Sequence, residues 1–153
     1  MFPSHDRVGP SEIATAKIAD IRLRFNIFDP LMYSVNKTRV NQSLSGTTTF
    51  TVTNAGTAIA RPIITVTNDS SNITSLIIEN LTTGQKISYT GTLATGNDVV
   101  IDTDLLTVEN NGTGDLGNVT NEIGIFLYPG ANEIKVTGIV SGDIDVDWHD
   151  RWY

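Results

Sequence analysis

Thr47-Thr-Thr-Phe-Thr-Val-Thr-Asn-Ala-Gly56 alternates hydroxyl and apolar side chains around Phe50 and Val52 and then stops on Asn54-Ala-Gly56. β-branched residues suit a pleated surface, and a period of two puts alternate side chains on opposite faces, so the stretch is a strand followed by a turn. The same cycle recurs along the chain. Asn80-Leu-Thr-Thr-Gly84, Thr95-Gly-Asn-Asp98, Asn110-Asn-Gly112 and Tyr128-Pro-Gly-Ala-Asn132 fall at intervals close to hairpin spacing, and the segments between them are too short for stable helices. The expectation is an all-β protein built as an antiparallel β-sandwich, jelly-roll or galectin-like.

Working outward, Pro62 opens a strand over 63–66, and further strands are expected over 73–78, 86–90, 98–103, 105–109, 123–127, 133–140 and 143–148. Upstream, residues 16–28 alternate apolar side chains with Arg22, Arg24 and Asn26, which reads as a long half-buried strand with a bulge before Asp29-Pro30. Proline has no N–H for the ladder and ends it. Residues 1–14, with Pro3, Gly9 and Pro10, read as an extended arm or linker remnant, and residues 15–153 as a single sandwich domain. Gly112, Gly114 and Gly117 make residues 110–121 the most flexible loop expected.

Length and composition close off several classes of function. A chain of 153 residues buries roughly two thirds of its unfolded surface without staples. The absence of cysteine removes disulfides and thiolate metal sites. A formal charge of −7 opposes nucleic-acid binding, which displaces counterions with a basic footprint. No apolar run approaches the ~20 residues needed to cross a bilayer, and residues 1–20 lack the apolar centre of a signal peptide, so a soluble protein made without an export signal is expected.

The candidate chemistry is sparse. Asp98, Asp102 and Asp104, and Asp143, Asp145 and Asp147, resemble paired acids or calcium ligands. At period two, however, each trio falls on one solvated strand face, and calcium needs six or more converging oxygens. Asp115 and Glu122 beside the glycines form an equally bare alternative for a cation. His5 and His149 have no serine or carboxylate at a spacing that enforces nucleophilic catalysis. No enzyme, cofactor or metal is expected. Trp148, His149, Arg151, Trp152 and Tyr153 crowd the last strand; if the strand runs on, Trp148 and Trp152 share a face, either closing the core or offering a glycan an aromatic platform. The Asn-x-Thr triplets at Asn36, Asn72 and Asn118 are turn residues in a chain rich in both.

Taken in order, the turns carry more. Phe28-Asp-Pro30 with Tyr33-Ser34, Asn54-x-Gly56 with Pro62, Asn80-Leu-Thr-Thr-Gly84, Leu93-x-x-Gly96-x-Asp98 running into Ile101-Asp102-Thr103, Asn111-Gly112, Leu127-Tyr-Pro-Gly130-x-Asn132 and the closing Arg151-Trp152-Tyr153 form one succession. It resembles the C-terminal domain of siphovirus-type phage distal tail proteins over residues ~15 to 153. That resemblance implies a galectin-like sandwich projecting from a hexameric ring at the tail tip, hence a virion structural protein assembled in the host cytoplasm. Its partners would be copies of itself in a symmetric ring and other tail proteins. The family's ring-forming N-terminal domain has no counterpart here, which implies either a fragment or a stand-alone tail protein. The alternative reading is a carbohydrate-binding module that adheres to host-surface glycan through Trp148, Trp152 and the Gly112 to Gly117 loop.

Overall fold

The structure, a computed structural model, describes residues 30–121 and 123–153. The arm at 1–14, the strand and bulge expected over 16–28, His5 and Glu122 lie outside the described residues. Among the described residues thirteen strands follow one another: β1 (Met32–Tyr33), β2 (Thr38–Ser45), β3 (Thr48–Asn54), β4 (Ile63–Asn68), β5 (Leu76–Asn80), β6 (Gln85–Tyr89), β7 (Asp98–Asp102), β8 (Thr107–Asn110), β9 (Thr113–Gly114), β10 (Val119–Thr120), β11 (Gly130–Thr137), β12 (Ser141–Trp148) and β13 (Arg151–Trp152). A six-stranded sheet in the order β2-β12-β4-β7-β8-β9 packs on a five-stranded sheet in the order β10-β6-β5-β11-β3, and β1 pairs separately with β13. All pairings are antiparallel.

Period-two alternation does what the sequence expects of it. Register places Val40, Val146, Ile64, Ile101 and Val108 in one row across the six-stranded sheet. Opposite them Val136, Ile78 and Ile87 form a row across the other sheet. Both rows belong to one buried apolar cluster. The outward side of β12 carries Asp143, Asp145 and Asp147, partnered across the ladder by Ser43, Asn41 and Arg39 respectively.

Only two of the five turns close hairpins, Asn80 to Gly84 between β5 and β6 and Asn110 to Gly112 between β8 and β9; those at Asn54 and Thr95 carry the chain to the other sheet, and Tyr128 to Asn132 leads from residues 123–127 into β11. The apolar run 123–127 is no strand. It crosses the interior with a single bridge, Leu127 to Ala60, while Ile125 and Leu127 are buried. A buried segment without a ladder must find other partners for its peptide groups. Here they are side-chain amides: Gln85 Oε1 accepts the Phe126 N–H at 3.0 Å, and the rest are asparagines. Asn54 Nδ2 donates to Leu127 O, Asn80 Nδ2 to Phe126 O, and Asn132 exchanges bonds with both peptide groups of Tyr128. Asn54, Asn68 and Asn80 each close a strand, and each side-chain oxygen accepts the N–H two residues on, at Gly56, Ser70 and Thr82. All four asparagines are fully buried.

Two further expectations shift. Leu105 and Leu106, expected in a strand, form an exposed tip between β7 and β8. Asp102 Oδ1 accepts the N–H of Asp104 and of Leu105 and winds the chain there, with Leu106 at φ 57°. Residues 110–121 are not a free loop. They contain β9, a 3-10 turn at Leu116–Asn118 and β10.

Asp115 anchors that segment to the core: Tyr89 Oη donates to its Oδ2 at 2.5 Å and Asn118 Nδ2 to its Oδ1 at 2.5 Å, while Asn110 Nδ2 donates to Tyr89 Oη at 2.6 Å. Both oxygens of the carboxylate once weighed as a cation ligand are thus occupied. Burial, and then the bond to Asp115, push the Tyr89 hydroxyl up to about 12. A raised folded-state value means that the folded protein holds this proton longer than the unfolded chain. The contribution is complete below the unfolded value near 10 and is lost as pH rises towards 12. A phenolate absorbance step near pH 12, absent in Tyr89→Phe, is the expected result. Its appearance near pH 10 would refute the buried bond.

Candidate docking surface

At one end of the sandwich the last residues fold back on residues 31–38. β12 stops at Trp148, whose ring enters the core and is 2 % exposed. Its indole N–H then needs a buried acceptor, and Asp150 Oδ1 supplies it at 2.8 Å. The same carboxylate accepts the Ala55 N–H and the Thr38 hydroxyl, both at 3.1 Å. The Ser34 N–H donates to the Asp150 carbonyl and the Asp150 N–H to the Ser34 hydroxyl, while the Ser34 carbonyl accepts from His149 Nδ1 at 2.9 Å, so that nitrogen carries the proton. β13 then pairs with β1, with Met32 opposite Trp152 and Tyr33 opposite Arg151. Gly56 lies beneath; a Cβ there would collide with the Arg151 carbonyl.

This geometry separates the residues singled out from sequence. Trp148 is core: it borders the cleft beside Arg151, but at 2 % exposure it has no ring face on which a sugar could stack. The platform shared by Trp148 and Trp152 is therefore corrected. Trp152 and Arg151 are half-buried, His149 is held by Ser34, and Tyr153 is 82 % exposed.

Around Arg151 a different constellation appears. Its guanidinium stacks over the Tyr33 ring, 4.9 Å from the centroid. Asp104, from the β7–β8 tip, lies 3.1 Å from Arg61 Nη1 and 3.6 Å from Arg151 Nη2. Arg61 in turn lies over Phe126. Tyr33, Arg61, Asp104 and Arg151, with Lys37, Trp148 and His149, line a cleft of about 170 Å³. Met32, Tyr33, Val35, Leu105, Leu106 and Tyr153 expose large apolar side chains at the same end. Contiguous exposed apolar surface marks contact sites in soluble proteins.

Sequence reading missed Asp150, Arg61, Asp104 and Tyr33 as a group. The Trp-x-Asp spacing was the available signal for Asp150, since a buried tryptophan needs an acceptor close by. Nothing local joins residues 33, 61, 104 and 151, which meet only through the sheet order.

The sandwich is similar to the crystal structure of the SPP1 Dit (gp 19.1) protein, described as a paradigm of the hub adsorption apparatus in phages infecting Gram-positive hosts. The TM-score is 0.64 at 17% sequence identity, over 82% of this chain and 50% of that one. The chain thus spans half the length of that protein, and at this identity the likeness speaks for the fold. No curated protein sequence matches. The sequence pattern of the siphovirus-type tail component, C-terminal domain, matches residues 55–152, from the first turn of the sandwich to β13. The chain therefore belongs to the siphovirus-type tail component family and carries its C-terminal domain.

Proposed function

We propose that this sandwich works by assembly: copies join in a symmetric ring, hexameric if it lies at the tail tip, and the end that carries β1 and β13 docks other tail proteins. The family match over residues 55–152 is the observation that carries this reading. Residues 15–153 act as one domain, the ring is built in the host cytoplasm, and no catalytic step is involved.

The sheet edges support it. Natural sheets blunt their edges with short strands, charges or local caps. β9 and β10 are two residues long, and on β2 Gln42 Nε2 covers Ser43 O while Thr48 Oγ1 takes the Ser45 N–H. β3 has seven residues and none of these devices. The Glu133 peptide groups bond Leu81 and Thr82, so the even residues of β11 face β3. By the same alternation the N–H groups of Thr49, Thr51 and Thr53 point outward, where no strand pairs with them among the described residues. We assign that edge to a strand of the adjacent copy, a head-to-tail contact that closes into a ring.

Light scattering provides the test. Wild type is expected to form a defined oligomer, alone or with tail proteins encoded alongside it. Thr51→Pro, which removes an outward N–H at little cost to an edge strand, is expected to yield monomer with an almost unchanged melting temperature. A wild type that stays monomeric and ignores those tail proteins would overturn the reading, and a Thr51→Pro variant that assembles normally would remove β3 from it. Adhesion to host glycan, the other reading, loses its paired tryptophan platform to the burial of Trp148.

A further inference from the structure

We propose that the cleft beside Arg151 is a carboxylate socket, built to receive one Asp or Glu side chain of a neighbouring protein subunit in the tail. The occupant's identity rests on the tail-assembly reading; the socket's chemistry rests on the cleft itself.

Arg151 has donors to spare. Its side chain is 12% exposed, and its Nε is buried with no acceptor among the described residues. A buried donor left unmatched costs the full loss of its hydration. Asp104, 3.6 Å from Nη2, is too distant for a hydrogen bond and acts only as a counter-charge. The Nε and Nη2 edge of the guanidinium is therefore unpaired though covered, and it matches the two-pronged contact that arginine makes with a carboxylate, which an entering acid gains by displacing its cover. Stacking on Tyr33 fixes the plane in which that contact forms.

The acids lining the cleft are already engaged. Asp147 accepts two bonds from Arg39, at 2.7 and 2.8 Å. Asp102 Oδ1 holds two backbone N–H groups of the β7–β8 tip, and Asp104 answers Arg61. Lys37 has no acidic partner among the described residues and lies on the cleft wall. In a chain of net charge −7, the described residues gather Lys37, Arg39, Arg61 and Arg151 at this end and place only Lys86 and Lys135 elsewhere. Arg39 answers Asp147 and Arg61 answers Asp104, which leaves Lys37 and Arg151 as the charges that an entering anion would meet.

Size and frame narrow the anion. A cleft of about 170 Å³ is below the roughly 300 Å³ at which pockets for drug-sized ligands begin, and it suits a single acid group. A planar carboxylate fits the guanidinium edge, whereas a doubly charged phosphate would meet three aspartates nearby. Tyr33 on the cleft wall, with exposed Met32 and Leu105 next in sequence to Tyr33 and Asp104, provides the apolar surround of a protein contact.

The test reads the Arg151 Nε–H resonance by NMR while acetate is titrated at constant ionic strength. Expected is a saturating shift with its midpoint below about 50 mM. Read from the amides of Tyr33 and Trp152, binding should weaken at least about tenfold in Arg151→Lys, which keeps the charge and loses the fork. In Lys37→Glu, an exposed change that leaves the fold alone, it should weaken severalfold. A linear response, one that chloride reproduces, or one unchanged in Arg151→Lys would overturn the socket. Saturation by inorganic phosphate at far lower concentration would overturn the carboxylate assignment. Because free protein and a small probe are used, failure here leaves ring assembly standing, whereas acetate binding by a protein that never assembles refutes assembly alone.

Discussion

Replacing Trp148 with alanine is expected to destabilise the fold by about 4 kcal/mol, the range found when a buried tryptophan is truncated and its cavity only partly collapses. The ring is among the largest fully buried side chains of the core, and its loss also strips Asp150 of a hydrogen bond. Trp148→Phe keeps most of the volume and loses only that bond, so about 1 kcal/mol is expected. Guanidinium unfolding monitored by far-UV circular dichroism separates these variants. An alanine variant within about 1 kcal/mol of wild type would place the ring outside the core and return it to the surface as a sugar platform.

Asn132→Asp is expected to be comparably damaging for a different reason. Asn132 is fully buried, and its Nδ2 donates to the carbonyls of Tyr128 and Gly130 at 2.8 and 3.0 Å. An aspartate of the same shape replaces that donor with an oxygen facing two other oxygens. When ionised it adds an uncompensated buried charge, which costs about 3–5 kcal/mol. The variant carboxyl must therefore titrate above the ordinary aspartate value in the folded state. The folded state then binds the proton more tightly than the unfolded chain, so the variant should approach wild type near pH 4 and fall away from it as pH rises. Urea midpoints measured at pH 4 and pH 8 give the comparison, and a gap independent of pH would show that Asn132 is not engaged as described.

Asn132 also shows where sequence reading stops. Alternation in β3, β4 and β12 is visible because a buried face and a wet face impose period two, and that was enough for the sandwich. The run 123–127 has strand composition but no ladder, and what distinguishes it is the set of asparagines answering its peptide groups from Asn54, Asn80 and Asn132. Turn propensity accounts for an asparagine at a corner equally well whether it is wet or buried. One trace was present: Thr-Val-Thr-Asn occurs at 51–54 and again at 65–68, at the ends of β3 and β4, where the same inward asparagine closes each strand. The candidate site was harder. Parity placed Trp148 and Trp152 on one face, but β12 ends at Trp148 and Trp152 belongs to β13, paired with β1, so one ring is core and the other half-buried. The Arg151 cleft joins four distant stretches of chain, and no spacing rule connects them.

The pairing of Met32 with Trp152 bears on how such a module can be carried. The described chain comes in and goes out through neighbouring strands about 5 Å apart, so both ends of the sandwich leave by one doorway. A unit wired in this way can hang from a tether or be spliced into a loop of a larger host, because the host need open only by the width of one strand pair. Among the described residues, the opposite end and the broad outer faces of both sheets stay clear of the connection.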